Sequence, residues 1–340
     1  MDIKNIIKKE LMPAKHSNFT NRIGYIDFIK LVAAFLTVFY HFAYYKLNYR
    51  FVENEIYYPN VARIIMCFAA CCVPLFFMIN GALLLDKKRS WKSIYLKIAK
   101  IIILILVWSI VGFPSWFFMT LVILYLIYPV LQYAYRQSRL LFISILGAFL
   151  LMPFTYNALC LLLKIIWKDG SFCLAGNTFS VTDLTVTGFF TMYAVVYFLL
   201  GPVLMKRNIP LWVGIVSTLA GWFYVTVECT IYTNMNESMY DGVNAAFPTY
   251  GGLFLSIGVF VIIKHIPLKC ATKILNWLGS AILPIYLLHM FVINCIKAIV
   301  GSFTLGLTTA IIGTLFIFLI CILIGKVIEK IPILCWFMKI

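Results

Sequence analysis

Apolar runs close to the length of a membrane-crossing helix recur along almost the whole of this 340-residue chain, and they restrict its possible folds more than any other feature. A helix satisfies all of its backbone hydrogen bonds internally, so about 20 apolar residues in that conformation can cross a bilayer without exposing a polar group to hydrocarbon. Charged residues make up 12% of the chain, about half the share in a soluble domain. The expected fold class is an all-α integral membrane protein, a bundle of about ten transmembrane helices.

The expected spans are 26–45, 61–85, 93–112, 116–135, 140–158, 187–205, 211–232, 247–264, 277–296 and 305–325. An even count puts both termini on one side. With both inside, twenty-one of the 28 Lys and Arg residues lie at the inner face and six at the outer, with Lys30 inside the first helix. Inner loops carry the excess of basic residues, so cytoplasmic termini and a multi-pass plasma-membrane protein are expected. Its parts are then a basic tail (1–22), a membrane domain (23–327) and a short cytoplasmic tail (328–340).

The first residues, MDIKNIIKKELMPAKH, are polar and basic, and no cleavable secretory signal is expected. Ile3, Ile6, Ile7 and Leu11 fall near one helical face, which suits either a helix lying on an anionic membrane surface or a solvated basic tail. Residues 159–186 are too broken to span and read as an external loop with an interfacial or re-entrant piece. A second external loop, NMNESMYDGVN (234–244), is acidic and polar. The net charge of +16 sits at the ends of apolar runs, where it marks topology and not a nucleic-acid face. Most of the ten cysteines lie inside apolar runs, and none is spaced with Cys or His as metal ligands are, so no metal is expected.

The run DFIKLVAAFLTVFYHFAYY (27–45) keeps ionisable groups inside an apolar span. Such groups are costly in hydrocarbon and are usually functional. Lys30 and His41 are eleven residues apart, so they share a face about 16 Å apart along the axis. Asp27, three residues before Lys30, can pair with it across one turn. One face thus offers a cation near the inner mouth and an acid/base group deep in the bilayer. Two plainer readings compete: Lys30 snorkels to the interface, and His41 is a packed, hydrogen-bonded core residue. His289, at a depth comparable to His41, is a second catalytic or acceptor-orienting candidate, or a core histidine bonded to a neighbouring helix. Glu228 and Asp183 could bind a sugar hydroxyl or simply sit at the headgroup boundary.

YIDFIKLVAAFLTVFYH resembles the opening of the acyltransferase 3 family, integral membrane O-acyltransferases. That family's first helix carries Asp, then Arg or Lys, and later His, which match Asp27, Lys30 and His41. VPLFFMINGALLL (73–85) is similar to its Phe-Phe-x-x-Ser-Gly segment, with Asn80 where Ser is usual. Lys97 and Lys100 match its R-x-x-R region; lysine keeps the charge but lacks arginine's bidentate fork. SWFFMTLVILYLIYPVL (115–131) resembles its Trp-Phe and Tyr-x-x-x-Pro helix, with Ser115 where His is often found. GSAILPIYLLHMFVI (279–293) is similar to its late Ile-Tyr-Leu-x-His helix, through Tyr286 and His289.

The resemblance covers nearly the whole chain. It implies transfer of an acyl group, most often acetyl, from acetyl-CoA to a hydroxyl of an envelope glycan or lipid-linked saccharide. Lys30, Lys97 and Lys100 would then meet coenzyme A phosphates at the inner face. His41, with Asp27, would serve catalysis; Asn80 or Tyr286 could stabilise an oxyanion. The alternative from another class is a transporter or flippase for an anionic or lipid-linked substrate, with Lys30 and His41 lining its path. A membrane acyltransferase of different architecture, using an Asn/His pair, leaves the Lys30–His41 spacing unexplained.

Overall fold

The computed structural model describes residues 23–44, 59–87, 89–109, 115–166, 171–174, 177–180, 192–235, 240–268, 271–300, 306–328 and 330–331. Helix α1 is Gly24–Ala43. Helix α2, Val61–Leu84, tightens to a 3-10 turn at Phe68–Cys71. Then follow α3 (Trp91–Ser109), α4 (Trp116–Leu126) and α5 (Tyr128–Gln137). Helix α6 (Arg139–Phe149) runs through a π-helical turn at Leu150–Thr155 into α7 (Tyr156–Ile166). Strands β1 (Ser171–Leu174) and β2 (Asn177–Ser180) precede α8 (Tyr193–Lys206), α9 (Leu211–Met235) and the short α10 (Gly242–Ala245). The chain continues with α11 (Tyr250–His265), α12 (Thr272–Ser280), α13 (Ile282–Val300) and α14 (Leu307–Ile328).

Each expected span has a helical counterpart, but they are unequal. Among the described residues, six stretches are long and apolar enough to cross a membrane: α1, α2, the α6–α7 stretch Arg139–Leu163, α9, α13 and α14. Helices α4 and α5 would make a seventh if they form one span bent by 57°. Pro129 sits in the first turn of α5, where its missing N–H and fixed φ start a helix and cannot continue one. Helices α8 and α11, at 14 and 16 residues, are shorter, and α3 carries Lys92, Lys97 and Lys100.

The fold is helical as expected apart from one short hairpin among the described residues, and the first part of 159–186, expected as a loop, is helix. Residues up to Ile166 stay helical, and β1 and β2 pair antiparallel, with Ser171 opposite Ser180 and Leu174 opposite Asn177. The strand sequences SFCL and NTFS have aromatic and β-branched residues but no helical apolar period. Cys160, expected in that loop, is a buried residue of α7.

Two compact units are drawn from alternating parts of the chain: 1–47, 90–122 and 266–340, and 48–89 with 123–265. In the first, α12, α13 and α14 all pack on α1, which buries Ile29, Ala33, Ala34 and Val38. An edge-to-face pair, Phe35 and Phe318 at 6.0 Å, joins α1 to α14. Helix α14 leaves Ile312, Phe316, Leu319 and Leu323 exposed, an apolar surface that only lipid or protein would cover. In the second unit, α2 and α8 cross at backbone contact. A Cβ at Gly81 would lie 1.7 Å from the Phe198 carbonyl oxygen, and one at Gly201 1.8 Å from that of Met78. Paired small residues are how membrane helices approach closely enough to gain dispersion energy where no hydrophobic effect separates helix from lipid.

Candidate active site

The first unit holds most of the expected chemistry. Asp27 lies in the first turn of α1, where a carboxylate favours the positive end of the helix dipole. Its Oδ1 accepts a hydrogen bond from Lys30 Nζ at 2.8 Å. The carboxylate is 6% exposed and the lysine 26%, so Lys30 reaches solvent while Asp27 does not. The second oxygen, Oδ2, is buried with no partner among the described residues. Helix α12 closes over this carboxylate at Gly279, where a Cβ would stand 3.0 Å from Asp27 Cγ. Next to it, Ser280 Oγ accepts from Lys326 Nζ at 2.5 Å, and Lys326 also lies 5.3 Å from the Trp277 ring centroid. A second cation from α14 thus meets the α12 end that packs on α1.

At the far end of α1, His41 meets His289. Their ring centroids are 5.2 Å apart and tilted by 38°. His289 is buried mid-way along α13. Its Nδ1 lies 2.7 Å from the Tyr286 carbonyl and 3.2 Å from that of Ile285. A carbonyl only accepts, so Nδ1 carries the hydrogen and the neutral ring keeps an acceptor lone pair on Nε2. That Nε2 is buried and has no partner among the described residues. Tyr286 packs one turn away, 5.7 Å from His289, with its ring 5.1 Å from Phe117 and 5.5 Å from Phe118. The result is a pair of imidazoles beside an aromatic wall, one half-exposed and one locked by the backbone.

Lys97 and Lys100 are half-buried on α3 in the same unit, one turn apart. Asn80 and Glu228 belong to the second unit. Asn80 Nδ2 donates to the Phe76 carbonyl at 2.9 Å, and its Oδ1 accepts from Tyr125 OH at 3.3 Å. The Asn-Gly segment of α2 is thereby tied to the tyrosine that opens Tyr-x-x-x-Pro. Glu228 is buried in α9, with Tyr224, Tyr232 and Tyr240 nearby. Asp183 lies outside the described residues.

Arg63 is one of the six basic residues that the sequence assigns to the outer face, and its partners were not foreseen. It is 1% exposed, donating from Nη2 to Cys229 Sγ at 2.5 Å and to the Tyr240 carbonyl. The signal was present, since a cation three residues into an apolar run must find partners or water.

Six apolar helical stretches of membrane-crossing length among the described residues define a multi-pass membrane protein, and one of its two units holds the His41–His289 pair. The acyltransferase 3 family model, described as an acyltransferase domain, matches residues 23–114 and 112–326, and the chain belongs to that family. It is an O-acyltransferase of the membrane in general terms. No curated protein and no solved structure matches the chain.

Proposed function

We propose that the protein moves an acyl group, acetyl in the first instance, from cytoplasmic acyl-CoA to a hydroxyl of a cell-envelope saccharide. The observation that carries this reading is the contact between His41 and a His289 whose tautomer is set by a backbone carbonyl. The acceptor hydroxyl oxygen attacks the thioester carbonyl as His41, the more accessible ring, takes its proton. The carbon–sulfur bond then breaks, and the coenzyme A thiolate takes that proton and leaves. His289, neutral and with an acceptor nitrogen in an apolar setting, steadies the proton held on His41. Base catalysis by a positioned side chain is worth about 10²–10⁴-fold in rate.

Lys30, held by Asp27, and Lys97 and Lys100 on α3 are assigned to the phosphates of the donor, where charge-assisted hydrogen bonds are strongest. Ten crossings with both termini in the cytoplasm put these cations on the donor's side of the membrane. His41, about three turns along α1, then lies toward the acceptor's side.

The test uses membranes containing wild-type or His41→Ala protein, labelled acetyl-CoA and envelope glycan. Free coenzyme A thiol and base-labile acetyl esters are both measured. The wild type releases thiol and forms esters in equal amounts, and His41→Ala loses both by about 10²-fold or more. Undiminished acetylation at equal expression overturns the assignment of the base. Saccharide movement with no thiol release would make the protein a transporter.

A further inference from the structure

A cavity of about 600 Å³ in the second unit gathers four cations that no step of acyl transfer uses: Arg136, Arg139, Lys206 and Arg207. All four come from helix ends. Arg136 lies in the last turn of α5, Arg139 is the first residue of α6, and Lys206 and Arg207 close α8. Among the described residues one carboxylate meets them. Asp86 pairs with Lys206 at 2.5 Å, while its backbone carbonyl accepts from Arg136 Nη1 at 3.4 Å. Three of the four charges in this cavity thus have no carboxylate partner among the described residues.

The lining is two-sided. Tyr135 and Phe142 form an apolar wall, with ring centroids 5.9 Å apart and Lys206 Nζ 5.4 Å from the tyrosine ring. Ser138 caps α6 by accepting the Leu141 N–H at 3.2 Å, which leaves its own hydroxyl hydrogen to donate. Immediately along the same helices, Tyr133, Leu140 and Ile143 are 55%, 79% and 54% exposed. Large apolar side chains so exposed on a membrane protein meet acyl chains. A ligand seated here therefore has its anionic group among guanidinium forks and its apolar part continuous with the bilayer.

We infer that this cavity is a binding site for an anionic phospholipid, with the phosphodiester held by Arg136 and Arg139 beside Ser138. Guanidinium forks match phosphate oxygens bidentately, and the start of α6 adds the positive end of a helix dipole to the same place. A soluble phosphate donor such as coenzyme A shares the anionic chemistry. It would have no use for the apolar rim, and so the lipid is the assigned occupant.

The test is native mass spectrometry of the full chain, released from vesicles of phosphatidylcholine containing phosphatidylglycerol, with coenzyme A as a separate arm. Wild type retains phosphatidylglycerol in preference to phosphatidylcholine, and coenzyme A does not displace it. Each interfacial cation adds about fivefold to anionic-lipid affinity, so Arg136→Gln with Arg139→Gln lowers retention about 25-fold. Arg136→Lys with Arg139→Lys keeps the charge and loses at most about fivefold. Equal retention of the two lipids by wild type overturns the site without recourse to any variant. So does displacement of phosphatidylglycerol by coenzyme A, or unchanged retention in the Arg→Gln protein when it elutes as a single folded species. If the Arg→Gln protein does not fold, the Arg→Lys protein decides: retention near wild type supports the site, and loss of all preference for phosphatidylglycerol overturns it.

Discussion

His41 and His289 are the same residue in unlike positions, and the difference assigns their work. His289 is locked by the Tyr286 carbonyl at 2.7 Å and buried, whereas His41 is half-exposed. A ring that must receive a proton from a substrate needs access, and a ring that steadies it needs a fixed tautomer. We therefore expect His289→Ala to lower kcat for acetyl transfer by about 10–100-fold and to shift the acid limb of the pH–rate profile. KM for acyl-CoA should stay within about twofold. A changed KM with unchanged kcat would make His289 part of donor binding. Lys30 permits an equally direct test of its two readings. Lys30→Met keeps a long apolar stem but removes the donor, so KM for acyl-CoA should rise about tenfold or more, the worth of one charge-assisted hydrogen bond. Lys30→Arg should retain wild-type KM, since it keeps charge and reach. A Lys30→Met enzyme with wild-type KM would leave only a snorkelling lysine.

At the scale of elements, close packing makes sharper predictions than hydrophobicity does. Gly81 and Gly201 each sit where a Cβ would penetrate a backbone carbonyl of the facing helix, whereas among the described residues nothing lies within 4 Å of a Cβ added at Gly147. Gly81→Ala and Gly201→Ala should therefore abolish folded, detergent-stable protein, and Gly147→Ala should leave it unchanged, as read by monodispersity and melting in detergent. Gly279→Ala is intermediate: its Cβ would stand 3.0 Å from Asp27 Cγ, so the carboxylate must shift a few tenths of an ångström. How much of these elements was legible varied with what holds them. The start of α1 was placed within two residues, because its boundaries follow from apolar content alone. The 57° break between α4 and α5 was not, since Pro129 reads equally well as a kink within one helix or as the start of another. The meeting of α1 with α13 at the histidines depends on tertiary packing between distant segments, which no local period encodes. Arg63 shows the opposite failure: its position in an apolar run was visible, but its partners, Cys229 and Tyr240, are not.

At the scale of the whole molecule, the number of crossings turns on two short helices. Helix α8 rises about 21 Å and α11 about 24 Å, both short of the roughly 30 Å of a hydrocarbon core. Neither needs to match lipid along its length, because α8 buries Ala194, Val196, Tyr197 and Phe198, and α11 buries Leu255, Phe260 and Val261. Protein neighbours can bridge the mismatch that lipid would otherwise have to meet by thinning. If both cross, Lys206 and Arg207 lie inside and Asp241 lies outside, which agrees with the placement of basic residues. If neither crosses, α9 between them inverts, and those two sides exchange while the C-terminus stays where it was. A small epitope placed after Asn208 and another after Asn236 separate the cases in intact cells. Ten crossings require the second to react with an impermeant antibody and the first to react only after permeabilisation. The reverse pattern would leave eight crossings and move the Arg136, Arg139 and Lys206 cluster across two sides of the membrane, breaking the cavity they share. Because one protein cannot satisfy both, the same experiment bears on the topology and on whether the basic cavity can exist as one site.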